Sequence, residues 1–229
     1  PADALSALPA ELRGAIDVAA FNAPDECVIS GPADAVGAAC EALDAQGVGS
    51  QRLRTAHGFH SRLMEPALDA FAAELAGVRL SRPHRPVVSN LTGSADAAFD
   101  TAAYWVRHIR EPVRFADGMA ALAATGASVL IEIGASPALI GAAARCAHFA
   151  AEPVLLPTLR RNQPALRNLG LLLAQLFAAG VPVRWDAVFD ASLRTEAPGY
   201  PFAPERHWLE PAPAVAGARS PAPDRAHAP

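Results

Sequence analysis

Two histidines and a glutamate lie close together in the segment His57-Gly58-Phe59-His60-Ser61-Arg62-Leu63-Met64-Glu65-Pro66. Imidazole nitrogens and a carboxylate can bind a metal ion, so His57, His60 and Glu65 are candidate ligands. Gly58 disfavours a helical presentation of these side chains, and neither a His-Glu-x-x-His motif nor a cysteine pair accompanies them. These features count against a metal site and against a metal-dependent hydrolase.

The same histidines have two metal-free interpretations. One ring could cap the following helix or form a hydrogen bond within a loop, which is a purely structural role. Alternatively, one imidazole could act as a general base, because a neutral histidine near pH 7 can take a proton from a hydroxyl or thiol nucleophile. The residue types alone do not choose between these hypotheses.

The elements that precede this segment are predicted in the order helix, strand, strand, helix, strand. A first helix is indicated by apolar residues spaced three or four apart, namely Leu5, Leu8, Leu12 and Ile16. Two β-favouring runs, 17–21 and 26–30, flank turn-forming residues and predict a hairpin. A second helix over 35–47 and an extended segment over 48–55 follow. This order is a split βαβ unit without its first strand, so we expect a chain that is cut at its N-terminal side.

The elements that follow are longer. Helices are predicted at 63–75, 101–109, 115–125, 139–146 and 164–179, and strands at 86–90 and 128–133. Ser136 and Pro137 are expected to cap and begin the fourth of these helices. The last one presents an apolar face of Leu166, Leu169, Leu173 and Leu176. A strand that leads straight into a helix indicates a buried sheet and an α/β fold.

The composition excludes several classes of protein. The 229 residues are 52% hydrophobic and 18% charged, which suits a globular chain with a core. A net charge of −4 gives no reason to expect a nucleic acid or an anionic membrane as partner. The longest apolar stretch, 169–183, is interrupted by Gln175 and Pro182 and is shorter than a membrane span of about 20 residues. Three widely spaced cysteines and the lack of a signal peptide predict a cytoplasmic protein.

The string HGFHSRLMEP resembles the segment that carries the catalytic histidine in acyltransferase domains of modular type I polyketide synthases, where the usual tetrad is His-Ala-Phe-His or Tyr-Ala-Ser-His. Five further segments resemble the same family in the same order: FNAPDECVISGP, PVVSNLTG, YWVRHIREPVRFADGMAAL, IEIGASPALIGAAA and YPFAPERHWLE. Together the six segments are distributed over residues 15–210. The resemblance implies a transferase of acyl groups.

The resemblance also implies a domain organisation within the α/β class. Residues 1–56 are expected to form a ferredoxin-like small subdomain whose first strand is missing, and residues 57–152 the C-terminal part of an α/β-hydrolase-like large subdomain. Residues 153–210 then correspond to the linker that follows the acyltransferase. Residues 211–229 are dominated by Pro and Ala and are expected to be a disordered tail.

By the same resemblance, His60 is the general base, and a backbone carbonyl at His108 orients its ring. His57, Gly58 and Phe59 border the substrate. In the family a bulky Phe before the catalytic histidine goes with a malonyl extender unit, so Phe59 favours malonyl-CoA as the substrate. Gly58 departs from the usual Ala, which gives the backbone more freedom there.

The family places its nucleophilic serine in Gly-His-Ser-x-Gly, and this motif does not occur in the sequence. The chain alone is therefore expected to be inactive, and the resemblance identifies it as the C-terminal half of an acyltransferase domain. The implied partners are an acyl carrier protein with its phosphopantetheine arm, a ketosynthase and other synthase domains. No bound cofactor or metal is implied. A non-catalytic scaffold or interaction fragment is the alternative.

Overall fold

The computed structural model describes residues 2–53, 55–146, 149–189, 196 and 198–205. The chain divides into two compact units, Pro1–Val183 and Arg184–Pro229. The predicted tail over 211–229 lies outside the described residues, as does the end of the predicted linker.

The described residues of the first unit form eight α-helices and four β-strands. The helices are α1 (Ala2–Ser6), α2 (Ala10–Ala15), α3 (Ala33–Asp44), α4 (Glu65–Leu75), α5 (Ala102–Arg110), α6 (Phe115–Ala124), α7 (Ile140–Arg145) and α8 (Ala165–Ala178). The strands are β1 (Asp17–Ala23), β2 (Glu26–Ser30), β3 (Val129–Glu132) and β4 (Val154–Pro157). In the second unit a short helix, α9, spans Trp185–Val188.

The predicted hairpin forms. Strands β1 and β2 pair antiparallel, with Asp17 opposite Ser30 and Ala23 opposite Glu26, and the register is irregular between Val18 and Ala20. The turn-forming residues between the two runs are the reason that this element could be predicted.

The helical region before the hairpin differs from its prediction as one helix. Pro9 has extended dihedral angles and lacks an N–H donor, so the region forms two short helices, α1 and α2. Leu8, Ile16, Ala39 and Leu43 still share one buried core, which packs α3 against this region.

A second, parallel pair of strands lies further along the chain. Strand β3 pairs with β4 so that Leu130 is opposite Leu155. Leu156 of β4 packs in a buried cluster with Leu172 and Leu176 of α8. The predicted face of α8 was therefore wrong in part: Leu176 is buried, but Leu166 is 84% exposed.

Two predicted strands are absent from the described part of the chain. Residues 86–90 do not form a ladder, because the backbone there turns back on itself: the N–H of Ser89 donates to Ser94 O and the N–H of Gly93 donates to Ser89 O. Residues 48–53 and 55 are also not in a strand, and the N–H of Ser50 donates to the side chain of Asp44. A strand needs a neighbouring chain to satisfy its backbone groups, and several of these groups form local hydrogen bonds instead.

The architecture is mixed α/β with two small sheets, as predicted. The ferredoxin-like and hydrolase-like assignments and their boundaries remain predictions. Among the described helices, none combines the length and apolar character needed to cross a membrane.

Candidate functional site

The loop that carries His60 is closed by a buried serine. Ser61 is completely buried, its Oγ donates to Gly58 O at 2.6 Å, and the same oxygen accepts the N–H of Leu63 at 3.3 Å. Ser61 thereby caps a short 3-10 turn, Arg62–Met64, which leads into α4. His60 has φ of 60°, in the left-handed region that non-glycine residues rarely adopt. The surrounding contacts therefore hold this backbone in an unfavourable conformation.

Two carbonyls at the end of α5 hold His60 in place. The backbone N–H of His60 donates to Ile109 O at 3.0 Å, and the ring atom Nδ1 lies 2.9 Å from Glu111 O. A carbonyl oxygen can only accept, so Nδ1 carries a proton in this contact, and in the neutral ring the lone pair is therefore on Nε2. Nε2 makes no hydrogen bond to the described residues. The ring is thus oriented with an unprotonated nitrogen available for proton transfer.

Pro112 places the Glu111 carbonyl. The residue before a proline is excluded from helical geometry, and Glu111 accordingly has φ −86° and ψ 156° at the end of α5. The next residue, Val113, joins strand β1: its N–H donates to Ala19 O and its carbonyl accepts from Phe21, both at 2.8 Å. The hairpin therefore fixes the segment that carries the acceptor for His60.

The acceptor was predicted at the wrong residue. The sequence comparison pointed to the carbonyl of His108, but the contact is made by Glu111, three residues later. His108 lies within α5, where carbonyls point along the helix axis, whereas Glu111 stands at the point where the helix ends. The Glu-Pro pair was the sequence signal that could have located it.

The side chain of His108 nevertheless lies beside the site. Its ring centroid is 5.8 Å from that of His60 in an edge-on arrangement. The stacked ring of Tyr104 lies at 6.0 Å and the tilted ring of Trp105 at 6.2 Å. The Tyr104 hydroxyl is held at 2.9 Å from Ser89 Oγ. Burial, and secondarily the charge of His60, lowers the pKa of His108. The ring of His108 is therefore neutral at pH 7, and it lies at one side of the site.

The predicted substrate-binding residues lie on the loop of His60. Phe59 is 48% exposed, and its ring lies 6.2 Å from that of His57 and 6.4 Å from that of His60. Gly58 is packed closely, since a Cβ there would lie 2.9 Å from the end of the Leu63 side chain. The rings of residues 57, 59, 60 and 108 are thus successive neighbours in the structure.

The structure does not bring the three candidate metal ligands together. Among them, no three His, Cys, Asp or Glu side chains are grouped so that they could hold a metal ion. Glu65 forms an ion pair with Arg110 at 2.9 Å, and Nδ1 of His60 is already engaged. His57, His60 and Glu65 therefore do not form a ligand set.

Sequence reasoning missed an ionic network beside the site. Asp17 Oδ2 accepts from the backbone N–H of Arg62 at 2.9 Å and from Arg62 Nε at 3.0 Å, and Asp17 Oδ1 lies 3.5 Å from Arg110. Burial alone would raise the pKa of Asp17, but the hydrogen bonds of Arg62 and the charge of Arg110 lower it. These residues are far apart in the chain, so no local pattern indicates their contact.

Comparison with known proteins gives a consistent result. Residues 6–183 match a family model described as acyl transferase domain. Mycoketide-CoA synthase of Mycobacterium tuberculosis is 39% identical over 199 residues, which make up 86% of this chain and 5% of that protein.

Solved structures of acyltransferases and transacylases are also similar to this chain. The acyltransferase domain from the second module of the salinomycin polyketide synthase is similar with a TM-score of 0.77 and 42% identity, over 87% of this chain and 48% of that one. A malonyl-transacylase solved in complex with a type II polyketide synthase acyl-carrier protein has a TM-score of 0.59 and 26% identity, over 76% of this chain and 53% of that one. The chain thus spans about half of these solved chains and a small part of the synthase.

Proposed function

This chain belongs to the acyl transferase domain family, and from that membership we propose that it supplies the general base for polyketide extender-unit transfer. The reaction moves a malonyl-type acyl group from coenzyme A to the phosphopantetheine arm of an acyl carrier protein. The observation that carries the proposal is the contact of His60 Nδ1 with Glu111 O at 2.9 Å, which makes Nε2 the proton acceptor of the neutral ring.

His60 acts in both halves of the reaction. In the first half Nε2 takes the proton of a serine hydroxyl while the serine oxygen attacks the thioester carbon of the acyl-CoA. The imidazolium then protonates the departing coenzyme A thiolate. In the second half Nε2 takes the proton of the phosphopantetheine thiol, the sulfur attacks the acyl-serine ester, and the proton returns to the serine oxygen. The Glu111 carbonyl accepts from Nδ1–H throughout and favours the transient positive charge.

The serine comes from outside residues 1–229, which contain no Gly-His-Ser-x-Gly motif. We therefore expect the chain to form no acyl-enzyme by itself. Several serines are present, but the one nearest to the base in sequence, Ser61, is completely buried and already donates to Gly58 O. A residue held in that way is a structural cap and not a nucleophile.

Phe59 selects among extender units. Its half-exposed ring is adjacent to the His60 ring, so a branch at C2 of a bound acyl group would compete with the ring for space. We therefore propose malonyl as the preferred acyl group. The exposed ring of His57 and the Gly58 backbone border the same space.

An acyl carrier protein is the proposed acceptor and partner. Support comes from the malonyl-transacylase that was solved in complex with such a protein and shares the fold of this chain. The relatives named as synthases are many times longer than this chain, which agrees with further synthase domains, such as a ketosynthase, as neighbours.

The test uses a hybrid domain in which this chain follows the N-terminal half of the salinomycin acyltransferase domain, which carries the missing segment. Incubation with radioactive malonyl-CoA is expected to label the hybrid and not the chain alone. His60→Ala is expected to slow the labelling by about a hundredfold or more. The matched control is His84→Ala, because His84 is exposed and belongs neither to the His60 loop nor to α5. Labelling of the isolated chain, or a fully active His60→Ala hybrid, would contradict the proposal.

A further inference from the structure

The left-handed backbone of His60 depends on two chain segments that meet at its ring. One is the loop from Gly58 to Arg62, and the other is the end of α5 with its acceptors Ile109 O and Glu111 O. Each segment is short and partly exposed, so neither can hold its conformation through burial alone. The contacts that hold the loop and the end of α5 in their relative positions therefore also determine the position of the His60 imidazole.

Asp17 contacts both segments. Its Oδ2 accepts the backbone N–H of Arg62, two residues after His60, and also Arg62 Nε. Its Oδ1 lies 3.3 Å from Arg62 Nη2 and 3.5 Å from Nη2 of Arg110, the residue before Glu111. Glu65, the first residue of α4, also forms an ion pair with Arg110, at 2.9 Å, whereas Asp17 forms ion pairs with both Arg62 and Arg110.

The surroundings of Asp17 hold its carboxylate in place. The side chain of Asp17 is only 16% exposed, and it stands at the first residue of β1, whose ladder with β2 begins at the Asp17 to Ser30 pair. The Arg62 guanidinium also donates to Gly14 O, which ties the same loop to the end of α2. The low pKa of Asp17 described above keeps the carboxylate ionised at neutral pH.

We propose that Asp17 is a positioning residue for His60, whose carboxylate joins the His60 loop to the end of α5 and so maintains the Nδ1–H to Glu111 O hydrogen bond. Asp17 takes no part in proton transfer and touches no substrate. The catalytic importance of this role rests on the proposed function, but the structural role does not.

The first experiment measures the tautomer of His60 in the chain itself by long-range nitrogen-to-proton NMR correlation. In the unchanged chain the Nδ1–H form is expected to predominate. In Asp17→Asn, which keeps the size of the side chain but loses its charge, the population of Nε2–H form is expected to rise at least severalfold, because free imidazole side chains favour it. The matched control is Asp25→Asn at the other end of the same hairpin, where Asp25 pairs with Arg145 at 3.2 Å and contacts neither segment.

Circular dichroism and thermal unfolding establish that each variant is folded. If Asp17→Asn unfolds the chain, Arg110→Gln tests the same link from its other side, with the same expected change in tautomer. A folded Asp17→Asn or Arg110→Gln chain whose His60 keeps the unchanged tautomer would overturn the proposal, whether or not any acyl transfer is observed.

The second experiment uses the hybrid domain. Asp17→Asn is expected to lower kcat by up to about a hundredfold while KM for malonyl-CoA changes little, because misplacement of the base affects the reaction and not substrate binding. Asp17→Glu, which keeps the charge, is expected to recover part of the loss. An inactive hybrid would contradict the proposed function and leave the tautomer result standing. An unaltered kcat in an active Asp17→Asn hybrid would contradict the positioning role.

Discussion

The carbonyl oxygen of Glu111 and Nδ1 of His60 are 2.9 Å apart although 51 residues separate them in the chain. The contact exists because Pro112 ends α5 and turns Glu111 into an extended conformation. Pro112 thereby places the carbonyl that favours the Nδ1–H tautomer of the neutral His60 ring.

Replacement of that proline is the direct test of this relationship. In Pro112→Ala the new backbone N–H can bond to His108 O and prolong the helix, which would move the Glu111 carbonyl away from His60. We expect a loss of the Nδ1–H tautomer by NMR and a decrease in kcat of about tenfold in the hybrid domain. Pro83→Ala in an exposed loop is the control. An unchanged tautomer in Pro112→Ala would show that the proline is dispensable.

His108 should make stability depend on pH. Its pKa is lowered from 6.5 by burial and then by His60, so the unfolded chain binds a proton at a higher pH than the folded chain. The contribution of the neutral ring to the free energy of unfolding is present above pH 6.5 and is lost as the pH falls through the lowered value. We expect His108→Gln to lose less stability than the unchanged chain between pH 7.5 and pH 5, as measured by urea unfolding.

The exposed His84 provides the control for that experiment. His84→Gln should follow the unchanged chain over the same range of pH. Equal pH dependence in His108→Gln and the unchanged chain would mean that the ring of His108 is not protonated differently in the two states.

Glu132 should stabilise the start of α7. Its carboxylate accepts the backbone N–H groups of Ala138, Leu139 and Ile140 at distances between 2.7 and 3.1 Å. These are donors that an α-helix leaves unsatisfied at its first turn, and a negative charge is favourable there. Glu132→Ala is expected to lower the free energy of unfolding by about 1–2 kcal/mol in urea titrations, whereas Glu74→Ala on the exposed side of α4 should lower it by less than about 0.5 kcal/mol.

Gly58 and Gly93 should respond differently to the same substitution. A Cβ at Gly58 would press on the flexible end of Leu63, which is 46% exposed and can move. A Cβ at Gly93 would lie 2.4 Å from Asp117 Cβ, at a φ of 70°. We expect Gly58→Ala to change the free energy of unfolding by less than about 1 kcal/mol and Gly93→Ala to lower it by about 1–3 kcal/mol. Equal losses in thermal or urea unfolding would contradict this reading of the two loops.

Phe59 should control the choice of acyl group in the hybrid domain. Phe59→Ser removes the ring beside His60 and opens space for a methyl branch, so the ratio of kcat/KM for methylmalonyl-CoA over malonyl-CoA should rise by about 10-fold to 200-fold. Leu53→Ser, an exposed apolar residue in the segment before the loop, is the control and should leave the ratio unchanged. The same ratio in Phe59→Ser and the unchanged hybrid would remove Phe59 as the selecting residue.

The elements that the sequence predicted correctly are those with local signals. The turn-forming residues between 21 and 26 predicted the β1–β2 hairpin, and helical periodicity predicted α3 to α6. The failures concern partners that no local pattern contains. The run over 86–90 is β-favouring but satisfies its backbone in a tight loop, and the apolar side chains of α8 leave its buried face ambiguous because Leu recurs on both sides.

The candidate site follows the same rule. The ring residues of the loop could be found because they are adjacent in sequence and resemble a family segment. The Glu-Pro pair marks where α5 ends, but no local pattern shows that the Glu111 carbonyl contacts His60, 51 residues away. The same holds for the carboxylate of Asp17, which contacts Arg62 across 45 residues. Polar side chains that bond to the backbone of a residue far away in the sequence follow no periodic pattern, so the sequence does not indicate them.

The irregular register of β1 links substitutions in the hairpin to the position of the Glu111 carbonyl. Ala19 lies where the pairing with β2 is interrupted, and its carbonyl accepts from the N–H of Val113. A substitution that makes the pairing of β1 and β2 regular would shift the Ala19 carbonyl. Val113, which donates to it, and Glu111 would then move as well. Such a substitution would lower kcat in the hybrid domain while the melting temperature changed little.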